Sequence, residues 1–362
     1  WGPGVGQLTT KARAAWAASR QTMLDAGNGP ALDTIETALF CLVLEDLRPV
    51  DPLHACDHLL HGESRNRWFD KGVSLIVFAD GTAGFNGEHC RLDGTTIIGF
   101  LDAILEAPPA PSGGTAVPAL APIEFTLDAQ MHADISRAGA DFAAYAAATS
   151  TLTVSVDFSS ERAKALECSP DAFAQLAFQL AHSRAKGFVG ATYESIATRS
   201  FKHGRTEAMR VVTPEVVEFA RIMDDDGADP EARRAAFRAA ADAHVARAKD
   251  CQAGRAPEQH LWELQRRLDI VDQADLALFD SPGWRIMRDD YLSTSAVPSP
   301  HITYWGFGST SQKCIGVGYA MMPGRFDLYL STPRTVSDQM LAFASCLRDA
   351  VREIEELLTD AR

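Results

Sequence analysis

The chain has 362 residues, enough for two domains of ordinary size. Hydrophobic residues make up 46% and charged residues 23%, which is typical of globular proteins. The formal net charge of −14, with no Lys/Arg-rich run, argues against a nucleic-acid partner, and it suits a cationic substrate better than a polyanionic one. The sequence has no run of 18 apolar residues, so we expect no membrane span.

The seven cysteines are scattered, odd in number and without a CxxC pair, which favours a reduced, intracellular and cytoplasmic location. The first residues, WGPGVGQ, have neither the charged nor the apolar region of a signal peptide. A chain that starts at Trp is expected to have been processed, cut or truncated.

Two helices and a hairpin are predicted in the first quarter of the chain. Residues 8–27 have an Ala-rich helical composition, a threonine cap at the start and a glycine at the end. Residues 31–47 repeat apolar positions every three or four residues, which predicts a second helix. Residues 74–88 are predicted to form a hairpin that turns at Asp80-Gly81.

The Pro-, Gly- and Ala-rich segment 108–125 has almost no charge and predicts a linker. We therefore predict a domain boundary there, which divides the chain into residues 1–120 and 121–362. The class is α/β, with strands within 301–331. Further helices are predicted at 95–106, 132–148, 169–186, 214–225, 229–250 and 334–360.

The segment FNGEHCRLDG, residues 85–94, places a histidine and a thiol between two acids. On an extended backbone Glu88 points away from His89, whereas Asp93 follows a predicted bend and can return to the histidine's side. A histidine in this setting can be a general base, a metal ligand or a packed side chain, and the residues alone leave these readings open.

The HACDHLLH segment is a candidate metal site, because His54 and His58 have i,i+4 spacing and His61 follows. The segment lacks the glutamate of an HExxH motif, and no cysteine pair supports it. We predict surface or packed histidines here, and no metal site.

Three further segments have a structural and a functional reading. The glycines of residues 306–318 lack a phosphate-loop context, so they predict close backbone contacts of twisted strands. The segment LSTSAVPSP, residues 292–300, is either a polar strand end or a source of hydroxyl donors to an oxyanion. Residues 193–210 form either an exposed charged loop or the polar wall of a pocket.

Together these segments resemble the carnitine/choline acyltransferase family. The matching motifs occur in the family's order and span the chain from about residue 7 to its last helix. They are NRWFDK (66–71), GEHCRLDG (87–94), SPDAF (169–173), ATYES (191–195), GRT (204–206) and LSTSAVP (292–298).

The resemblance implies direct transfer of an acyl group between coenzyme A and a small alcohol, with no acyl-enzyme. It also implies two α/β domains resembling chloramphenicol acetyltransferase, the first incomplete on its N-terminal side. The catalytic histidine would then lie in residues 1–120, and the CoA and acceptor residues in 121–362. No permanently bound cofactor is implied, because acyl-CoA, or a phosphopantetheine thioester, is a co-substrate.

The family's catalytic roles fall on four residues. His89 matches the general base, and Ser295 matches the donor to the tetrahedral oxyanion. Asp93 matches an acid that pairs with an arginine, for which Arg199 is the expected partner.

The CoA positions match less completely. The resemblance assigns Lys164, Asp171, Glu194 and Ser293 to CoA binding. A second lysine position holds Ser160, which weakens the phosphate patch unless Arg162 substitutes for it.

The acceptor positions are Tyr193, Thr206 and Gln259. Gln259 stands where the carnitine enzymes have an arginine that pairs with the carboxylate, and a neutral amide cannot supply that bond. Ala296 is a second departure. The acceptor is therefore expected to be a carnitine-like, choline-like or less usual alcohol.

Three hypotheses follow from the resemblance. The first is an acyltransferase that uses acyl-CoA and a small alcohol. The second is an offloading domain that takes an acyl chain from a carrier protein's phosphopantetheine and passes it to a polyol or another alcohol. The third is a non-catalytic relative that only binds. The expected partners are the alcohol and the thioester, with either an acyl carrier protein or the missing N-terminal part of the same enzyme.

Overall fold

The computed structural model describes residues 2–90, 92–108, 119–268 and 277–360. The chain folds into two compact units, Trp1–Ala148 and Thr149–Arg362. The division falls later in the chain than the predicted boundary at 120, because the helix Ala129–Ala147 packs on the 3-10 helix Val5–Thr10 of the first unit. Residues 109–118 of the predicted linker lie outside the described residues.

The first unit combines helices with one small sheet. In the described residues this sheet has the order β1-β2-β3, with β1 parallel and β3 antiparallel to β2, which confirms the predicted hairpin. The helices are α1 (Arg13–Asp25), α2 (Gly29–Thr37), α3 (Pro52–Leu60), α4 (Gly94–Glu106) and α5 (Ala129–Ala147); the strands are β1 (Cys41–Glu45), β2 (Val73–Phe78) and β3 (Ala83–Gly87).

The helix predicted over residues 31–47 is wrong in its second half, where the chain forms β1. Leu42 pairs with Leu75 of β2, and Val43 packs against the first unit's sheet core, so pairing with the neighbouring strand overrides the local helical pattern. The predicted threonine cap of α1 is also wrong. Thr9 donates to Gly6 O (2.6 Å) and accepts from the N–H of Phe69, which fixes the preceding 3-10 turn.

The second unit is built on a sheet of order β4-β9-β8-β7-β5-β6 within the described residues, in which β5, β7 and β8 run parallel. Together with the small sheet of the first unit and the helices around both sheets, it confirms the predicted α/β class. Its strands are β4 (Thr149–Val156), β5 (Thr192–Ala197), β6 (Thr206–Arg210), β7 (Leu292–Ala296), β8 (Ile315–Met322) and β9 (Arg325–Pro333). Its helices are α6 (Ser160–Ala165), α7 (Pro170–Lys186), α8 (Pro214–Met223), α9 (Pro230–Gln252), α10 (Glu258–Leu268), α11 (Ala277–Asp280), α12 (Pro282–Met287) and α13 (Ser337–Thr359).

Helix α7 lies at the centre of the second unit's core and packs against α13, α8 and α9. The Ser169 hydroxyl accepts from the N–H of Ala172, Pro170 occupies the first turn, and Gly187 ends the helix at φ +81°, as the sequence predicted. Phe173 and Phe178 are fully buried on this helix. Within the described residues, no helix is both long and apolar enough to cross a membrane.

The predicted close backbone contact of the late glycines is confirmed at Gly318 of β8. A Cβ built there would lie 2.1 Å from the carbonyl oxygen of Trp305, so any side chain would displace the backbone at Trp305 and Gly306. Within the range 301–331 the chain forms β8 and most of β9, whereas the residues before Ile315 form no strand.

A buried histidine on α7 makes stability depend on pH. Burial lowers the pKa of His182 to about 4, and its Nδ1–H donates to the Phe188 carbonyl at 3.1 Å. In the unfolded chain the pKa is about 6.5, so between pH 6.5 and 4 the unfolded state binds a proton that the folded state does not. Stability should therefore fall by about 3 kcal/mol as pH drops through this window, and no further below it.

Urea unfolding at pH 7.5 and pH 4.5 checks this expectation. His182→Gln should lose less stability between the two pH values than the native chain, because glutamine does not titrate. His132→Gln, at an exposed position on α5, is the matched control and should keep the native pH dependence. Equal pH dependence in the native chain and His182→Gln would contradict the assignment.

Candidate active site

His89 lies in the short connection between β3 and α4. Its Nδ1 is 2.7 Å from the carbonyl oxygen of Leu92. Because a carbonyl only accepts, Nδ1 carries the proton and Nε2 carries the lone pair. The side chain is 72% exposed. This is the tautomer that a general base needs, held by a contact three residues away.

The two acids of the segment lie as the sequence predicted. Asp93 Oδ1 is 3.6 Å from His89 Nδ1, so this carboxylate returns to the histidine's side. Glu88 turns elsewhere: its Oε1 accepts from Arg13 of α1 at 2.8 Å, and its Oε2 accepts from the N–H of Cys90 at 2.9 Å. Arg199 is exposed and belongs to the second unit, so its pairing with Asp93 remains a prediction.

The STS segment forms β7, inside the six-stranded sheet. Thr294 points to the α7 side, where its hydroxyl accepts from Gln175 Nε2 (2.9 Å) and donates to the Tyr193 carbonyl (2.9 Å). Side chains alternate along a strand, so Ser293 and Ser295 face the opposite side of the sheet. The prediction of hydroxyls on a strand end is therefore refined to two serines on one face.

Register places two of the three predicted acceptor residues, Tyr193 and Thr206, on this same face, which we call the serine face. Tyr193 is the β-partner of Ser293 and of Arg210, and Thr206 lies four residues before Arg210 on β6. Tyr193, Thr206, Ser293 and Ser295 therefore lie on one face, with Tyr193 beside Ser293 and Thr206 opposite Ala197, four residues further along β5. Residues 193–210 were predicted to form an exposed loop or the polar wall of a pocket. In the structure most of this segment forms the antiparallel strands β5 and β6.

The remaining predicted residues lie off this face. Gln259 and Lys164 are exposed on α10 and α6. The guanidinium of Arg162 contacts Glu355 (Nε–Oε1 2.7 Å) and Asp157 (2.9 Å), and its substitution for a CoA lysine remains a prediction.

Half-buried Asp171 and buried Glu194 belong to one network on the α7 side of the sheet. Asp171 accepts from the Tyr319 hydroxyl (2.6 Å) and from His244 Nε2 (3.0 Å). Burial, reinforced by Asp171, raises the pKa of Glu194 well above its ordinary value. Burial also opposes ionisation of Asp171, but hydrogen bonds from His244 and Tyr319 outweigh it and lower the pKa of that carboxyl. Their assignment to CoA binding remains a prediction.

Sequence analysis missed two features of the second unit. His244 lies on α9, 73 residues after the aspartate that it contacts, and no local spacing announces the contact. Arg210 is clamped by Glu258 (Nη2–Oε1 2.6 Å) and Asp290, and its guanidinium lies 5.8 Å from the centre of the Tyr193 ring. One arginine and two acids that are distant in sequence therefore meet beside Tyr193, a predicted acceptor residue.

The histidines of the HACDHLLH segment have separate partners. His54 Nδ1 accepts from the N–H of Val50, His58 Nε2 is 3.1 Å from Glu45, and His61 packs on the rings of Phe142 and Tyr145.

Comparison with known proteins identifies the class. The model of the choline/carnitine O-acyltransferase family matches residues 2–349. The chain therefore belongs to this family, as its motifs predicted.

Individual relatives are carnitine acyltransferases. The chain is 30% identical over 375 residues to the mitochondrial carnitine O-palmitoyltransferase 2 of Xenopus tropicalis, covering 98% of this chain and 56% of the relative. It is 30% identical over 373 residues to the carnitine O-acetyltransferase of Homo sapiens, covering 98% and 59% respectively. The chain thus spans a little over half the length of these relatives.

Solved structures give only weak likenesses. A condensation domain that mediates chain release from the enacyloxin polyketide synthase matches with 14% identity and a TM-score of 0.43, covering 88% of this chain and 68% of that one. A chloramphenicol acetyltransferase matches with 12% identity and a TM-score of 0.32, covering 56% and 88%. Such low TM-scores add nothing about activity.

Proposed function

We propose that this protein is an O-acyltransferase that moves an acyl group between a coenzyme A thioester and a small alcohol, with His89 as general base. The observation that carries the proposal is the Nδ1–H···O=C bond to Leu92, which leaves the base lone pair on Nε2. Membership of the family supports the reaction class.

The proposed step needs no covalent enzyme intermediate. Nε2 accepts the hydroxyl proton as the alcohol oxygen attacks the thioester carbon, which forms a C–O bond and a tetrahedral oxyanion. Collapse breaks the C–S bond, and the imidazolium returns the proton to the departing thiolate. A positioned base of this kind contributes about 10²- to 10⁴-fold.

Ser295 is the proposed donor to the oxyanion. It lies on the serine face, where neighbouring strands fix its backbone through pairing with Gly318. Removing one oxyanion donor costs about 10²- to 10³-fold in kcat.

Ser295→Ala should therefore lower kcat by about 10²-fold or more while KM for the alcohol stays close to native. Thiol release from acyl-CoA measures both constants. Ser311→Ala, in a loop of the same unit, is the control and should leave kcat unchanged. A native kcat in Ser295→Ala would remove this serine from the mechanism.

For the acceptor we propose an alcohol without a carboxylate, such as a choline-like alcohol or a polyol. The Arg210 guanidinium lies 5.8 Å from the centre of the Tyr193 ring, and Glu258 and Asp290 already neutralise it. Gln259 brings no charge. An incoming carboxylate would have to compete with two resident carboxylates for one guanidinium.

An offloading acyltransferase is the second candidate. It is favoured by the weak set of CoA phosphate contacts, since Ser160 is buried where a lysine was expected and Arg162 is held by Glu355. A phosphopantetheine arm on a carrier protein lacks the nucleotide phosphates that such contacts serve.

One experiment tests the proposal and separates the candidates. The protein is incubated with acetyl-, octanoyl- or palmitoyl-CoA, and in parallel with the same chains on a carrier protein, against carnitine, choline and glycerol. Turnover with CoA and choline or glycerol supports the first candidate, and turnover with the carrier alone supports the second. No thiol release with any pair contradicts both.

A further inference from the structure

Two carboxylates and an imidazole meet inside the second unit. Asp171 comes from the first turn of α7, Glu194 from the middle of β5, and His244 from α9. One ligand atom of each lies within 4.8 Å of the other two. His244 Nε2 is 3.0 Å from Asp171 Oδ2 and 3.8 Å from Glu194 Oε2.

The negative charges of the two carboxylates in this cluster need a neutralising group. In the part of the chain that the structure describes, neither Asp171 nor Glu194 forms an ion pair with a lysine or arginine. Two adjacent carboxylates in a low-dielectric interior repel each other strongly, so either a proton or a cation must offset one charge.

A second observation points to a ligand. Glu194 is only 3% exposed, yet its Oε2 has no hydrogen-bond partner among the described residues. The same holds for Oε1 of fully buried Gln175, whose amide nitrogen donates to Tyr319 and Thr294. Leaving a buried polar atom unpaired costs about 1–3 kcal/mol, so native structures rarely do so without a function.

The spacing of the ligand atoms fits a metal ion. Zinc bonds to His nitrogen and carboxylate oxygen at about 2.0–2.2 Å, which places tetrahedral ligand atoms about 3.4 Å apart. The distances of 3.0 and 3.8 Å from His244 lie on either side of that value. The Asp171 side chain is 39% exposed, which leaves a route for the ion and for a water ligand.

We propose that Asp171, Glu194 and His244 form a binding site for a divalent transition-metal ion of the Zn²⁺ or Mn²⁺ class. An O,O,N set of this kind suits such ions better than a soft ion that prefers thiolates. The ion would link α7, β5 and α9 behind the serine face. No step of the proposed acyl transfer is routed through the ion, although the resemblance also assigns Asp171 and Glu194 to CoA binding.

Metal binding to the full chain tests the site without an activity assay. Protein stripped with a chelator is titrated with Zn²⁺ by calorimetry and, after dialysis, analysed for bound zinc. We expect one zinc per chain and a rise in the thermal midpoint with zinc concentration. Glu194→Gln should weaken zinc binding by at least about 100-fold, since even outer-shell partners contribute 10- to 100-fold.

Two further variants keep the test sharp. His244→Gln should also lose the zinc, which guards against misfolding of any single variant, and circular dichroism checks each fold. His54→Gln removes a half-buried histidine of α3 that lies outside the cluster, and should keep one zinc. Zinc that is absent from the native chain, retained in both Glu194→Gln and His244→Gln, or lost in His54→Gln overturns the proposal and leaves a shared proton as the neutralising group.

Discussion

His89→Gln should reduce the rate of acyl transfer by about 10²- to 10⁴-fold, the contribution of a positioned general base. Glutamine can still donate to the Leu92 carbonyl, so the connection between β3 and α4 should keep its shape. It cannot accept a proton from an alcohol at neutral pH. The loss should therefore appear in kcat, with KM for the thioester changed little.

Thiol release from acyl-CoA under saturating alcohol measures this effect, with unfolding in urea as the check on folding. His132→Gln changes an exposed histidine in the same unit and should keep the native rate. If His89→Gln turned over at the native rate, the chain would be a binder that retains the family frame, or another group would be the base.

Both ends of α7 could be predicted from the local sequence, because the capping serine, the first-turn proline and the terminal glycine all indicate the same helix. Ser169, Pro170 and Gly187 each favour one end of a helix, and the apolar residues between them suit a fully buried one. Agreement of cap, composition and stop signal makes such a helix predictable without knowledge of its neighbours.

Residues 41–45 show where this reasoning stops. The segment CLVLE fits an apolar helix face or a strand equally well over so few residues. Pairing of Leu42 and Leu44 with Leu75 and Val77 of β2 decides the outcome, and that strand lies about 30 residues further along the chain. Local periodicity has no access to such a contact.

The candidate site divides in the same way. His89, Ser295, Tyr193 and Thr206 are predicted site residues because short motifs contain them, and the strand register places the last three on one face. His244 was missed because a histidine inside a helix rich in alanine and arginine has no distinguishing neighbours. Its significance comes only from the packing of α9 beside α7 and β5.

The largest expected effect on stability concerns Arg210 of β6. Its side chain is only 14% exposed, and Glu258 and Asp290 are 11% and 20% exposed. Burial raises the pKa of Asp290, against the pull of Arg210. The guanidinium thus compensates two desolvated carboxylates from α10 and from the loop before β7.

Arg210→Met should lower the free energy of unfolding by about 3 kcal/mol, the lower end of the range for breaking a buried pair. Asp290 loses its partner, and Glu258 keeps only Arg288, whose Nε lies 3.8 Å from Oε1. Urea unfolding at pH 7.5 measures the loss. Arg221→Met removes an arginine of similar reach from an exposed pair with Glu218 on α8, and should leave the free energy of unfolding unchanged.

The triple variant Arg210→Met/Glu258→Gln/Asp290→Asn separates two causes of the instability. One is the uncompensated charge of the carboxylates, and the other is the loss of the arginine's own contacts. Neutral amides keep the shapes of both acids but remove the uncompensated charge, so we expect the triple variant to recover most of the lost stability. If it stayed as unstable as Arg210→Met, packing of the arginine on the Tyr193 ring would be the main contribution. In that case Arg210 would stabilise the serine face through contact with this ring more than through charge.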